Sequence, residues 1–243
     1  MAIAYNPSIT ASGLLIHLDA ANPKSYPGTG TVWKDISLTG NNGFLSTSSQ
    51  FSSVDKTLSV TPYTLAYASN LTNPVIGSTS SFTIEFWLLL NEIRFGGPFQ
   101  NIIAYAGDYR NWGFRFGMGP SVVSGKMYPV FWTSESVPNN PDGISVGTST
   151  QQLTVSTGIY FHTAVTHDVS SGNTAVYTNG IVSASTSTGL YINTSSMQLS
   201  IGGSYQGTTS LNGKIGSFKW YNRALTADEI QINFAAHRGR YGV

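Results

Sequence analysis

The side chains in this chain that could do acid–base or metal chemistry are eleven carboxylates and four histidines, with no cysteine to serve as nucleophile or thiolate ligand. Hydrolysis of a glycosidic bond needs two carboxyl groups, about 5–5.5 Å apart for retention and about 6.5–9.5 Å for inversion. A strand supplies such a pair from acids at i and i+2 or i+4 on one face. The acids are Asp19, Asp35, Asp55, Glu85, Glu92, Asp108, Glu135, Asp142, Asp168, Asp228 and Glu229. No two are so spaced, and the only neighbours, Asp228 and Glu229, read as a helix start. Glu85 lies on a suitable strand but stands alone, so a catalytic pair would have to converge from separate strands.

The histidines are His17, His162, His167 and His237. His162 and His167 are five apart on one strand and point to opposite faces, which keeps them from chelating one ion. His162 therefore reads as a hydrogen-bonded structural histidine. No nucleophile elbow and no phosphate-binding loop occurs. Sugar binding needs an aromatic face flanked by planar polar groups. The turn YAGDYRNW offers Tyr109 and Trp112 beside Asp108, Arg110 and Asn111, and a second loop offers Tyr205 and Gln206. The competing reading is that Trp112 caps the core edge and Tyr109 packs on its own hairpin.

Positioning these groups falls to strands. Only 9% of residues are charged while 40% are hydrophobic, and 26 glycines suit short strands joined by tight turns. In Tyr160 to Val182, Phe161, Thr163, Val165 and His167 alternate with His162, Ala164 and Thr166, as a half-buried strand requires. DVSSGN breaks the run, Thr174 to Thr178 forms a second strand, and Asn179-Gly180 makes a two-residue hairpin turn. Further strands are expected over Gly13–Asp19, Thr57–Val60, Thr64–Ala68, Ser81–Leu90, Asn101–Tyr105, Trp112–Gly117, Lys126–Thr133, Tyr191–Gly203 and Leu211–Tyr221. Ser81–Leu90 becomes apolar on both faces and belongs in the middle of a sheet. The irregular segment after Asp19 is held down by Tyr26 and Trp33. Thr226 and Glu229 form a capping box that opens one helix over 226–238, with Ile230 and Phe234 buried and Gly239 ending it in the left-handed conformation.

Several of these strings resemble the laminin G-like, concanavalin A-type sandwich domains. They are Tyr160, Phe161, His162, Ala164, Val165 and Thr166, then Tyr177, Asn179 and Gly180, with Tyr160 where the family often has Trp and His167 where it often has an aromatic. The Phe-Thr-x-x-Phe-Trp strand at Phe82–Trp87, the Ile-Gly-Gly at Ile201–Gly203 and the closing Asn212-Gly213 to Tyr221-Asn222-Arg223 and Leu225 fit as well. The resemblance implies an all-β, two-sheet antiparallel jelly-roll sandwich with one short C-terminal helix, a single domain over 1–243 whose first 12 residues are an N-terminal extension. In this family a Ca²⁺ sometimes sits at the rim, for which Asp108 and Asp168 are the loop acids; otherwise no cofactor is expected, and each Asp has the alternative of bonding its own turn.

The run Leu18, Asp19, Ala20, Asn22-Pro23, Ser25-Tyr26-Pro27-Gly28, Gly30, Trp33, Asp35 and Ser37 is similar to the start of sandwich-domain proteins of tailed phages, cyanophages especially. It departs at Leu38-Thr39-Gly40, where the family continues Ser-Gly. This resemblance implies a non-enzymatic virion structural protein (capsid decoration, tail or fibre), a homo-oligomer within an assembly whose partners are other virion proteins and host-surface polysaccharide. A dedicated lectin module is the alternative, and a glycoside hydrolase the third. Net charge of +1 gives no field for nucleic acid. MAIAYNPSITASG has no basic, apolar signal pattern, and the longest apolar run, Phe86–Leu90, cannot span a bilayer. Synthesis in a host cytoplasm without a signal peptide, and a location in the virion, are the corresponding expectations.

Overall fold

The computed structural model describes residues 8–47, 50–61, 66–68, 80–92, 100–106, 112–121, 124–133, 145–147, 153–187, 198–203 and 211–243. Within them lie sixteen strands and one helix. The strands are β1 (Leu14–Asp19), β2 (Val32–Trp33), β3 (Gly43–Leu45), β4 (Phe51–Ser52), β5 (Thr57–Val60), β6 (Ala66–Ala68), β7 (Phe82–Leu90) and β8 (Gln100–Ala106). After them come β9 (Trp112–Pro120), β10 (Met127–Thr133), β11 (Ser145–Val146), β12 (Tyr160–Asp168), β13 (Asn173–Thr178), β14 (Ile181–Thr186), β15 (Gln198–Ile201) and β16 (Gly213–Tyr221). Helix α1 (Ala227–Tyr241) closes the chain.

All pairings between the strands are antiparallel, in two eight-stranded sheets. The first runs β14-β13-β12-β7-β16-β5-β4, with β1 also on β16, and the second runs β11-β10-β9-β8-β15-β6-β3-β2. One edge of β16 serves two partners in turn: Gly213–Ile215 pair with β5 and Ser217–Tyr221 with β1, the change falling at a bulge around Gly216. The hairpin turn is as expected, with φ of 49° at Asn179 and 80° at Gly180.

Alternation decides what each face of the first sheet meets. On β7, Phe82, Ile84, Phe86, Leu88 and Leu90 join the inter-sheet core, where Phe86 lies 6.5 Å from Phe116 and Phe82 5.9 Å from Phe131 across the sandwich. Tyr26 and Trp33 belong to this core too, which accounts for the order of the irregular segment around them. Thr83, Glu85 and Trp87 face the other way and are also fully buried, Thr83 against Arg223 and Leu225 and the other two under α1. The centre of this sheet is therefore covered on both sides, as the sequence of β7 predicts.

The helix corrects one expectation. Thr226 caps it as a capping box, its hydroxyl accepting from the Glu229 amide while the Glu229 carboxylate accepts from the Thr226 amide. It does not stop at Gly239 but continues to Tyr241, and Gly242 takes the left-handed conformation at φ 71°. The physical reason is packing: the extra turn lays the Tyr241 ring 4.4 Å from the Trp87 ring, over the space that Gly216 leaves by having no side chain. Arg240 in the same turn reaches both oxygens of Asp19 at 2.8 and 2.9 Å.

Candidate functional site

Beneath α1 the outward residues of four strands form a polar cluster. Glu85 on β7 is wholly buried; its Oε2 accepts from Lys219 Nζ of β16 at 3.2 Å and its Oε1 accepts from Asn233 Nδ2 of α1 at 2.8 Å. Burial would raise the Glu85 carboxyl, but the Lys219 charge, with His162 and Asn233, outweighs it and holds the group at about 2. His162 on β12 stands with Nε2 3.7 Å from Glu85 Oε2, too far for a hydrogen bond, and neither ring nitrogen has a hydrogen-bond partner. The histidine is structural, as the sequence suggests, but packed between Trp87 and Phe234 instead of hydrogen-bonded. Burial pushes it below the usual histidine value. His17 on β1 stacks on His237 of α1 at 6.5 Å. His167 points to the opposite face and packs on Phe82, so the two histidines of β12 are kept apart as their spacing requires.

This cluster has the residue types of a catalytic centre but no access: Glu85, Lys219 and His162 expose 1% or less. Its evident work is to join helix to sheet. Asp35, Asp55, Asp168 and Glu229 are similarly committed. Asp35 Oδ1 accepts from the amides of His17 and Ser37, and Oδ2 from Ser37 Oγ, Thr39 Oγ1 and the Asn41 amide. That hub gives Leu38-Thr39-Gly40 its role as the extended arm of an Asp35-centred loop. Asp55 pairs with Lys214, and Glu229 with Arg223 at 2.6 Å. Asp168 accepts from the Ser170 amide and hydroxyl and from Ser171 Oγ, bonds that depress it to about 2. It thus bonds its own turn, and among the described residues no group of three or more His, Asp or Glu is placed to hold a metal ion.

Of the sequence-derived glycan residues, Asp108, Tyr109, Arg110, Asn111 and Tyr205 lie outside the described residues, as does Asp108 in its role as a Ca²⁺ candidate. Trp112 opens β9 and pairs with Ala106 of β8, so the expected hairpin joins these strands, but the Trp112 side chain is outside the described set. The described residues contain a different concavity, missed in the sequence: a groove of about 800 Å³ in the segment between β1 and β3, walled by Pro23, Pro27, Val32 and Ile36 and flanked by Lys24 and Lys34. Its frame is fixed by Ser25 Oγ donating to the Lys34 carbonyl at 2.5 Å and Tyr26 Oη donating to the Gly30 carbonyl at 2.7 Å. Both lysines are exposed, and neither ammonium has a side-chain partner among the described residues. The available signal was two lysines in KSYPGTGTVWK with no acid between them.

Residues 65–231 match the family profile described as the concanavalin A-like lectin/glucanases superfamily, more than half the chain. The chain belongs to the concanavalin A-like lectin/glucanases superfamily. Among solved structures, this superfamily member is similar to domain 4 of AbnA, an arabinanase from Geobacillus stearothermophilus in complex with arabinotriose (16% identity, TM-score 0.62, 93% of this chain and 100% of that one). It is also similar to the binding domain of Paraclostridial Mosquitocidal Protein 1 (18%, 0.61, 91% and 52%). Trypanosoma rangeli sialidase in complex with sialic acid aligns at 14% identity and TM-score 0.63, over 96% of this chain but 34% of the sialidase. At these identities the likeness is one of fold. Comparison with curated protein sequences finds no match. No helix among the described residues is long and apolar enough to cross a membrane.

Proposed function

We propose that this superfamily member is a non-enzymatic polysaccharide-binding sandwich, displayed on a phage particle as a capsid, tail or fibre component beside other virion proteins. The observation that carries the binding half is the contrast in charge: the buried acids are committed to structural bonds, while the groove near β2 keeps two unpartnered lysines. An ammonium beside proline and aliphatic walls complements a carboxylated sugar, whose ring C–H faces need apolar contact and whose acid group needs a cation. Superfamily membership and the arabinotriose held by the domain of AbnA support a saccharide as ligand. The phage setting is supported by the Leu18–Ser37 run, which resembles tailed-phage sandwich proteins. Tyr109, Trp112 and Tyr205 belong to this reading as further candidate sugar contacts, and Ca²⁺ as a candidate ligand of Asp108.

Titration of the protein with an acidic polysaccharide such as polygalacturonate tests the reading by calorimetry. Binding in the millimolar to micromolar range, on the order of −4 to −8 kcal/mol, is expected, weakened tenfold or more by Lys24→Ala with Lys34→Ala. Release of reducing ends from the polymer, abolished by replacing one carboxylate, overturns the non-enzymatic assignment. Absence of the chain from purified particles overturns the virion assignment.

A further inference from the structure

Lys219, Glu85 and Asn233 form a set that the binding reading does not use. The three side chains come from β16, β7 and α1, expose 1% or less, and meet at one carboxylate: the Lys219 amine lies on Glu85 Oε2 and the Asn233 amide nitrogen on Glu85 Oε1. The orientation of the amide is fixed from both sides. Its Oδ1 accepts from the Thr10 backbone N–H at 2.7 Å, while its Nδ2 also donates to Tyr221 Oη at 3.0 Å. Trp87, Phe234 and Tyr221 surround the set with aromatic surface and keep water out. Two opposite charges held dry are a poor stabiliser compared with a neutral arrangement of the same atoms.

We infer that Lys219 and Asn233 condense into an intramolecular isopeptide bond, with Glu85 as the proton shuttle, so that α1 is covalently fastened to the sheet. In the step, Glu85 Oε2 takes a proton from the Lys219 ammonium, and the neutral Nζ attacks Asn233 Cγ. Negative charge develops on Oδ1, where the Thr10 N–H already points, the placement that stabilises an oxyanion. Glu85 Oε1, lying against Nδ2, delivers the proton as the Cγ–Nδ2 bond breaks, and the nitrogen departs as ammonia. Glu85, a carboxylate again after this delivery, takes the second proton from Nζ and passes it to the ammonia, which leaves as ammonium, so that Glu85 ends as it began. No oxidant, metal or co-substrate is required. The transfer runs against the attraction that keeps Glu85 ionised, and the dry surroundings lower its cost, because the neutral acid–amine pair avoids two desolvated charges.

The test is the intact mass of the full chain, purified and denatured. The expected mass is about 17 Da below that of the sequence, the ammonia lost, and a proteolytic digest contains a branched peptide joining Lys219 to Asn233. Lys219→Arg keeps a cation but has no competent amine and restores the full mass. Glu85→Gln, with both reacting residues intact, also restores it. A wild-type mass equal to the sequence overturns the inference. So does a deficit that survives Lys219→Arg, which would place the loss elsewhere, for instance at a cyclised Asn179-Gly180. A deficit retained in folded Glu85→Gln removes Glu85 from the reaction. These readings are independent of whether any polysaccharide binds.

Discussion

Acidification is expected to loosen the joint between α1 and the first sheet well before the carboxylates titrate. His17 and His237 face each other there, with Lys219 and Arg240 as neighbouring cations and Asp19, Asp35 and Glu85 as neighbouring anions. Burial is the main reason both are depressed, with Lys219 next, from 6.5 to about 4 for His17 and to about 2 for His237. A histidine depressed in the folded state leaves the unfolded chain binding more protons below 6.5, so stability is full above that pH and falls as pH drops toward the folded values. Across pH 6.5 to 4 the His17 displacement corresponds to about 3 kcal/mol. His237 adds at most a similar amount, reduced because a charge on one ring opposes a charge on the other, giving a joint loss of about 3–6 kcal/mol. At about 2–4 °C per kcal/mol for a domain of this size, Tm should fall by roughly 6–24 °C. Calorimetric scans at pH 7, 6, 5 and 4 measure this, with His17→Leu as the comparison, in which the slope of stability against pH should flatten by about one proton. Burial, the larger cause, persists whether or not Lys219 keeps its charge. A Tm constant between pH 7 and 4.5, or an unchanged slope in His17→Leu, refutes the assignment of buried neutral histidines.

Gly216→Ala should release the last turn of α1, because a methyl group there would collide with the Tyr241 ring; faster amide exchange over residues 238–242 with the core strands unchanged is the expected result. Asp19→Ala removes the anchor of Arg240 and should lower stability by about 1–3 kcal/mol in urea unfolding, less at high salt since Arg240 is partly exposed.

What the sequence discloses here follows the range of the interactions. Alternation along Tyr160–Asp168 and Phe82–Leu90, the Asn179-Gly180 turn and the Thr226/Glu229 capping box are all local, and each has its expected form. The choice of Gly242 over Gly239 as helix end is not local, since it depends on Tyr241 meeting Trp87, some 150 residues earlier in the chain. For the same reason Glu85 looks solitary in the sequence: Lys219 and Asn233 are 134 and 148 positions away. Asp19 is recognisable as part of a recurring run, but its purpose is visible only with Arg240, 221 positions on. The groove escapes because its two lysines follow no periodicity; only the intervening fold sets them on one concavity.

The beginning and end of the described chain are knitted together: Tyr221 Oη donates to the Thr10 carbonyl, Arg223 to that of Ser12, and β1 lies along β16. Arg240, in the last turn of α1, reaches Asp19 at the far end of the same strand, so the two grips fall at opposite ends of β1. Strand β1 is thus clasped ahead of its first residue and at its last, and peeling it from β16 requires both clasps to open together.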